Sequence, residues 1–173
     1  MISIQHSAPG IGSKFSLQFQ AKIFSHDNPI DLKQHTTEHL KQALEGVSVL
    51  VVDDSPDNLL LIKKMLTKSG AIVELAAGGR EGLAKAKAGM FAPILMDIQM
   101  PEMDGYQVLR EILDLGLRAP VIALTAHAMT EDRLKTKEAG FADHVTKPLS
   151  FPVLVGTMCA ALIKTKPQID ASI

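Results

Sequence analysis

The stretch VLVVDDSPDN, residues 49–58, runs from four apolar residues into two adjacent aspartates, a serine, a proline and a third aspartate. A short β-branched apolar run is typical of a strand that is buried on both faces. The residues after it suit the start of a helix, because Ser55 is a good N-cap and Pro56 fits the first helical position. The stretch therefore predicts a buried strand that delivers Asp53 and Asp54 at its carboxyl end.

The same alternation of apolar runs and helical patterns continues to about residue 164. Further strands are predicted in AIVELA, APILMD, APVIALTA and FADHVT, each followed by a helical pattern. The apolar residues expected to face the sheet include Leu59, Ile62, Met65 and Leu66 in the first helix and Val108, Leu109, Ile112 and Leu113 in the third. Five such repeats with short loops predict an α/β fold, a doubly wound five-stranded parallel sheet with helices on both faces.

The first 46 residues show a different pattern. Residues 2–20 alternate polar and apolar positions on both sides of a glycine-rich turn, which predicts a hairpin that would be marginal in water alone. Residues 21–46 are polar and indicate a linker with a short helix around 37–44. We therefore expect a hairpin over 1–20, a linker over 21–46, one domain over 47–165 and a tail over 166–173.

Composition excludes several classes of protein. Of the 173 residues 46% are hydrophobic and 21% are charged, as in an ordinary globular protein. The net charge of -1 argues against nucleic-acid binding. The sequence also lacks a basic amphipathic stretch that would favour direct membrane contact. The single cysteine, Cys159, excludes an internal disulfide and fits a reducing compartment. The N-terminus lacks a secretory signal, and the longest apolar run is too short for a bilayer span. We expect a cytoplasmic chain, or a cytoplasmic piece of a membrane-anchored protein.

Polar side chains follow four of the predicted strands. The first strand delivers Asp53 and Asp54, and the third delivers Asp97. The fourth delivers Thr125 and the fifth delivers Lys147. Because parallel strands end at one edge of a sheet, where ligands bind at the point of strand-order reversal, we expect these side chains to lie together.

These residue types favour phosphoryl chemistry. Three crowded carboxylates need a cation to stay ionised, and oxygen ligands without thiolates favour Mg²⁺. With a lysine and a hydroxyl, such a cation would neutralise the oxygens of a phosphoryl group in transfer. One carboxylate could then act as the nucleophile and become an aspartyl phosphate. Asp97 is the better candidate because it stands alone at its strand end, whereas Asp53 and Asp54 look like a metal clamp.

Each of these features also has an ordinary structural explanation. An Asp–Asp pair after a strand can be a helix-capping region, and Lys147–Pro148 can be a turn. Thr125 can be a buried hydroxyl whose hydrogen bonds are satisfied. Their joint placement at four strand ends favours the site over these separate explanations.

The chain resembles the receiver domain of two-component response regulators from residue 47 to about 164. The resemblance is carried by VLVVDDSPDN, ILMDIQMPEMDGYQVLREI, VIALTAHA and HVTKPL, and MDIQMPEMDG is its most specific block. It implies a flavodoxin-like sheet with strand order 2-1-3-4-5.

The resemblance also implies roles for the carboxylates. In that family the residue matching Asp97 accepts a phosphoryl group from a phosphohistidine. The residues matching Asp53 and Asp54 bind Mg²⁺ together with the backbone carbonyl at the position of Gln99. Gln99 and His127 lie at positions that tune the lifetime of the aspartyl phosphate.

Three further positions belong to the switch of that family. The residue matching Thr125 moves toward the phosphate, the one matching Lys147 pairs with it, and the Lys147–Pro148 peptide bond is expected to be cis. A tyrosine or phenylalanine often stands three residues before the lysine as a signal reporter. Here that position is His144, so either a histidine takes the switching role or it is a residue without consequence at the domain edge.

The hairpin has a resemblance of its own. Its GxGSxF pattern, formed by Gly10, Gly12, Ser13 and Phe15, is similar to the end of the ATP-binding domain of histidine kinases. A kinase end, a linker and a receiver in this order imply a fragment of a hybrid histidine kinase, which should neither bind ATP nor phosphorylate a histidine. His39 faintly matches a phosphotransfer motif, but its spacing favours a linker histidine.

The leading hypothesis is a phosphoacceptor module of a phosphorelay, whose partner is a histidine kinase or phosphotransfer domain carrying phosphohistidine. As an enzyme, the fragment would catalyse at most its own phosphoryl transfer. Residues 131–163 are the expected readout face and could meet a partner, a second copy or the linker. Two alternatives are an aspartyl-phosphate phosphatase of the haloacid dehalogenase type, which needs two aspartates separated by one residue, and a non-phosphorylated interaction module.

Overall fold

The structure is a computed structural model that describes residues 2–8, 12–17, 40–126 and 130–165, with side chains described within 40–126 and 133–164. The chain divides into two compact units, Met1–Asp31 and Leu32–Ile173. Among the described helices, none has the length and apolarity that a membrane span requires.

The first unit contains the predicted hairpin. Strand β1 (Ile2–Ala8) pairs antiparallel with strand β2 (Gly12–Leu17), and Ala8 lies opposite Gly12 at the turn end. Gly10, the first glycine of the kinase-like pattern, lies outside the described residues. The origin of this hairpin in a kinase domain stays a prediction.

The second unit alternates five strands with five helices, as the sequence pattern predicts. The strands are β3 (Ser48–Val52), β4 (Ile72–Ala76), β5 (Ile94–Asp97), β6 (Val121–Thr125) and β7 (Asp143–Thr146). The helices are α1 (Pro56–Lys68), α2 (Gly79–Ala88), α3 (Gly105–Asp114), α4 (Thr130–Ala139) and α5 (Phe151–Thr165). Each strand begins and ends within two residues of its predicted bounds.

The five strands form one parallel sheet in the order β4-β3-β5-β6-β7. Counted within the unit this is 2-1-3-4-5, which confirms the doubly wound, flavodoxin-like prediction. The strand order reverses between β3 and β5, where Val52 lies opposite Met96. The residues that follow these two, Asp53 and Asp97, therefore reach the same level at the carboxyl edge of the sheet.

Alternate residues of β3 point into two separate cores. Val49 and Val51 pack with α1 and α5 on one face, while Leu50 and Val52 pack with α2 and α3 on the other. The predicted inward residues that the structure buries are Leu59, Ile62, Leu66, Val108, Leu109 and Ile112, and Met65 is partly buried. The prediction for Leu113 is wrong, because its side chain is 48% exposed and lies beyond the stripe that meets the sheet.

The opposite edge of the sheet is closed by residues 40–46, which the sequence pattern assigns to a linker. Leu44 is completely buried in the core between α1 and α5. Its backbone N–H donates to the Ser69 carbonyl (3.0 Å), and the Gly46 N–H donates to the carbonyl of Gly70 (3.1 Å). Gly70 has a φ of +87°, a conformation that favours glycine at the end of a helix. These seven residues thus belong to the packed α/β unit.

Candidate functional site

The structure brings the three predicted carboxylates together at the carboxyl edge of the sheet. Asp53 and Asp54 follow β3, and Asp97 is the last residue of β5. One oxygen from each of the three lies within 4.8 Å of the others. Asp53 is completely buried and Asp97 is 7% exposed, whereas Asp54 is exposed to solvent.

The carboxylate of Asp53 accepts four hydrogen bonds. Its Oδ1 accepts from the Ser55 backbone N–H (2.9 Å) and from Asn58 Nδ2 (3.1 Å). Its Oδ2 accepts from the same Asn58 Nδ2 (3.1 Å) and from Lys147 Nζ (3.0 Å). Ser55 is the N-cap of α1, as predicted, and its Oγ accepts from the Asn58 backbone N–H (3.4 Å). The start of α1 is therefore built around the buried aspartate.

Lys147 reaches this cluster from the end of β7. Its backbone N–H donates to the Thr125 carbonyl (2.7 Å), which continues the β6–β7 ladder by one residue. Its Nζ donates to Asp97 Oδ2 (2.7 Å) and to Asp53 Oδ2 (3.0 Å). The Lys147–Pro148 peptide bond is cis, as the sequence resemblance implies. One ammonium thus bridges the two buried carboxylates.

The loop that leads from β5 into α3 contacts both the side chain and the backbone of Asp97. Its Oδ1 accepts a hydrogen bond from the Gln99 backbone N–H (3.3 Å), and the Gly105 N–H donates to the Ile98 carbonyl (3.0 Å). A Cβ on Gly105 would overlap the carbonyl oxygen of Asp97 and lie 2.9 Å from Ile98 Cα. The glycine of the MDG motif is therefore required by the close approach of α3 to the strand that carries Asp97.

The charges of the site shift the pKa values of its groups. Burial raises the pKa of Asp97 above its ordinary value, and the neighbouring Asp53 charge adds to this rise while the hydrogen bond from Lys147 opposes it. Burial also acts to lower the pKa of Lys147, but its hydrogen bonds to Asp97 and Asp53 outweigh burial and hold the pKa above the ordinary value. The raised pKa of Asp97 reflects mainly its burial, whereas the raised pKa of Lys147 reflects the excess of carboxylate charge around it.

This excess fits a divalent cation. Three ionised carboxylates and one ammonium leave two negative charges uncompensated within the described cluster. The ligand atoms are all carboxylate oxygens, which hard cations prefer. One member, Asp54, faces solvent and leaves the cluster open to an ion that keeps part of its hydration.

Four further residues are predicted to belong to the site. Thr125 ends β6 and is buried, at the same edge as the carboxylates. Gln99 is exposed, and the role of its carbonyl oxygen stays a prediction. His144 lies within β7 with its Nδ1 3.7 Å from Asp143 Oδ1, and its switching role also stays a prediction. His127 lies outside the described residues.

Asn58 is a site residue that the sequence pattern did not single out. It lies five residues after Asp53, in the first turn of α1, and its side chain turns back to the strand end. A polar, uncharged residue one turn into the helix that follows an Asp–Asp pair was the available signal. Such a residue is usually attributed to capping or to a solvated helix face.

The structure defines the class of this protein as an α/β domain with a flavodoxin-like sheet, whose carboxyl edge carries clustered carboxylates and a lysine. The family model of the response regulator receiver domain matches residues 49–158. The chain therefore belongs to the response regulator receiver domain family.

Curated relatives include both short and long proteins. An uncharacterized 14.6 kDa protein of Leptolyngbya boryana is 40% identical over 110 residues, covering 62% of this chain and 84% of that protein. The signal transduction histidine-protein kinase BarA of Escherichia coli is 42% identical over 106 residues, covering 60% of this chain. The match spans only 12% of the length of BarA.

A solved structure is similar in fold and sequence. It is the receiver domain of a sensor histidine kinase from Pseudomonas aeruginosa, with a magnesium ion coordinated in its active site cleft. The TM-score is 0.62 at 36% identity, and the match covers 68% of this chain and 98% of that domain.

Proposed function

We propose that this chain is the phosphoacceptor of a two-component phosphorelay and that Asp97 takes its phosphoryl group from a phosphohistidine. The phosphohistidine would belong to a histidine kinase or to a phosphotransfer domain. The observation that carries the proposal is the placement of Asp97, whose Oδ2 is 2.7 Å from Lys147 Nζ and which shares a cluster with two further carboxylates. Membership of the receiver family supports the same assignment.

We propose Mg²⁺ as the cation of this site. Asp53, Asp54 and Asp97 would hold it together with the backbone carbonyl of Gln99, and the related receiver with a magnesium ion in its cleft supports this choice. A bound Mg²⁺ supplies positive charge that offsets the charge on the oxygens of a transferring phosphoryl group.

The residues of the chain would divide the chemistry between them. An oxygen of the ionised Asp97 carboxylate forms the new bond to phosphorus as the bond from phosphorus to the donor imidazole nitrogen breaks, and that nitrogen keeps the electron pair. Lys147 keeps Asp97 ionised before transfer and pairs with the phosphoryl oxygens afterwards. Thr125, at the neighbouring strand end, would donate its hydroxyl to the product and act as the switch.

The experiment that tests this function is intact-mass measurement after incubation with acetyl phosphate and Mg²⁺. We expect a gain of one phosphoryl group that is labile to base and is absent in Asp97→Asn. Asp114→Asn, an exposed aspartate at the end of α3, is the matched control and should label normally. Turnover of acetyl phosphate without accumulation would favour the phosphatase, and absence of both labelling and Mg²⁺ binding would favour the interaction module.

We also propose that the domain is part of a hybrid histidine kinase and that α4, β7 and α5 form its readout face. BarA and the P. aeruginosa kinase are histidine kinases whose matching parts are similar to this chain. Val153 and Ile163 of α5 are 54% and 73% exposed, which suits contact with a partner, a second copy or another part of the chain. Sedimentation of the phosphorylated and unphosphorylated chain would test for a homodimer. If phosphorylation causes dimerisation, the sedimentation coefficient should increase on phosphorylation.

A further inference from the structure

Asn58 contacts the site through a single partner. Its side-chain Nδ2 donates to both carboxylate oxygens of Asp53, at 3.1 Å each. Asn58 is half-buried on the first turn of α1, while Asp53 is completely buried. The amide therefore braces the carboxylate of a residue that solvent does not reach.

Three groups orient the Asp53 carboxylate. Ser55, Lys147 and Asn58 donate four hydrogen bonds to it in total, and the Asn58 amide provides two of them. The Ser55 contact holds only Oδ1 and the Lys147 contact holds only Oδ2, so only the amide of Asn58 ties the two oxygens together. Without it, the carboxylate could turn away from the orientation in which it would bind the cation.

We propose that Asn58 is a positioning residue of the metal site. By fixing the Asp53 carboxylate, it orients one ligand of the cation, while Lys147 stays paired with Asp97 through its own hydrogen bond (2.7 Å). Partners that orient a metal ligand through hydrogen bonds typically change metal affinity about 10- to 100-fold when they are removed. This inference rests on the proposed function, since it takes the acidic cluster to be a Mg²⁺ site.

The role predicts a separation between metal affinity and maximal rate. Asn58 touches neither Asp97 nor Lys147 in the described contacts, so its removal should leave the nucleophile and the ammonium in place. The phosphorylation rate should therefore return to the wild-type value when Mg²⁺ is saturating. A residue that only supported the helix would lower thermal stability and leave the Mg²⁺ dependence unchanged.

The test uses the full chain with Asn58→Leu, which keeps the approximate size of the side chain and removes its donors, and Asn58→Ala as a second variant should the first fail to fold. Thr67→Ala, an exposed polar position on the same helix, is the control. Mg²⁺ alone is titrated by calorimetry, and the rate of mass gain with acetyl phosphate is measured against Mg²⁺ concentration. We expect about a tenfold or greater loss of Mg²⁺ affinity in the Asn58 variants, with the maximal rate retained.

Two results would overturn the inference alone. One is wild-type Mg²⁺ affinity in a folded Asn58 variant, and the other is a reduced maximal rate with an unchanged Mg²⁺ dependence. Failure of the proposed function looks different, because the wild-type chain itself would then neither bind Mg²⁺ nor gain a phosphoryl group. That last result would overturn both.

Discussion

The two edges of the central sheet are built in opposite ways. At the carboxyl edge, Asp53 and Asp97 are buried carboxylates that share the single ammonium of Lys147. At the amino edge, Leu44 fills the space between α1 and α5, and the completely buried Ser69 donates its hydroxyl to the Leu66 carbonyl (2.8 Å). One edge keeps negative charge in excess, and the other combines apolar contact with satisfied hydrogen bonds.

The difference teaches how one sheet can serve both function and stability. Charge in excess disfavours the folded state, because carboxylates that are crowded and buried lose solvation. Apolar burial and satisfied backbone groups favour it. Substitutions at the carboxyl edge should therefore alter chemistry first, and substitutions at the amino edge should alter stability first.

The largest effect is expected for Lys147→Met. The variant keeps the length of the side chain but removes the charge that contacts Asp97 and would meet the phosphoryl oxygens. Loss of one such electrostatic contact slows a reaction by about 10²- to 10³-fold. The measurement is the rate of mass gain with acetyl phosphate at saturating Mg²⁺, with Lys64→Met, an exposed lysine of α1, as the control. Equal rates in both variants would remove Lys147 from the chemistry.

Leu44→Ala should have the next largest effect, and on stability alone. Truncation of a fully buried leucine costs about 2–5 kcal/mol of unfolding free energy, and Leu44 is completely buried. Urea unfolding followed by circular dichroism would measure it, with Leu60→Ala, a 51% exposed leucine of α1, as the control. Below the unfolding transition the variant should still be phosphorylated at the wild-type rate. A lost rate in folded protein would show that the two edges are coupled.

The pH dependence of stability should differ between the wild-type chain and Asp97→Asn. The pKa of Asp97 is raised in the folded state from its ordinary value of 3.8, so the folded state binds more protons than the unfolded state at pH values above that. Wild-type stability is thus lost as pH rises through the window between 3.8 and the raised pKa. In chelated, metal-free buffer the unfolding free energy of Asp97→Asn should rise relative to that of the wild type as pH increases through this window. Above the raised pKa the difference between the two should stay constant.

The direction of that change is the informative part. If the unfolding free energy of Asp97→Asn instead falls relative to that of the wild type as pH rises, Lys147 more than offsets the burial of Asp97. The carboxyl edge would then resemble the amino edge in being fully compensated, and the comparison of the two edges would fail.

The smallest effect is expected away from both edges. A Cβ added at Gly156, within α5, meets nothing within 4 Å, so Gly156→Ala should stabilise the chain by about 0.5–1 kcal/mol. Gly46→Ala at the amino edge is the matched control, since its φ of +71° should make the same substitution destabilising by about 1–2 kcal/mol. Thermal unfolding of both variants checks the prediction, and a loss of stability in Gly156→Ala would contradict it.

Much of the site was predictable because it depends on strand ends. Short apolar runs predict where β3, β5 and β6 end, and parallel pairing then places Asp53, Asp97 and Thr125 at one edge. The contact of Lys147 with both buried carboxylates depends on side-chain reach across the sheet, and a strand pattern predicts only the edge at which it lies.

Other features left too little signal in the sequence. Leu44 belongs to a short apolar set with Leu40 and Ala43, which predicts only a brief helix in a linker, and its burial depends on the distant helices α1 and α5. Asn58 is polar, as residues in the first turn of a helix commonly are, so its residue type alone did not indicate a site. Its contact with Asp53 depends on how the first turn of α1 folds back on the end of β3. Leu113 was misjudged because an apolar stripe on a helix can be wider than the surface that it buries.

The central claim is that Asp97, the single aspartate at the end of β5, is the phosphoacceptor. Locating the phosphoryl group tests it most directly. The chain is treated with acetyl phosphate and Mg²⁺, reduced with borohydride, which converts an aspartyl phosphate to homoserine, and mapped by peptide mass. The predicted result is homoserine at position 97 only, and only when Mg²⁺ is present. Homoserine at Asp53 or Asp54, or phosphate retained on a histidine, would contradict the claim.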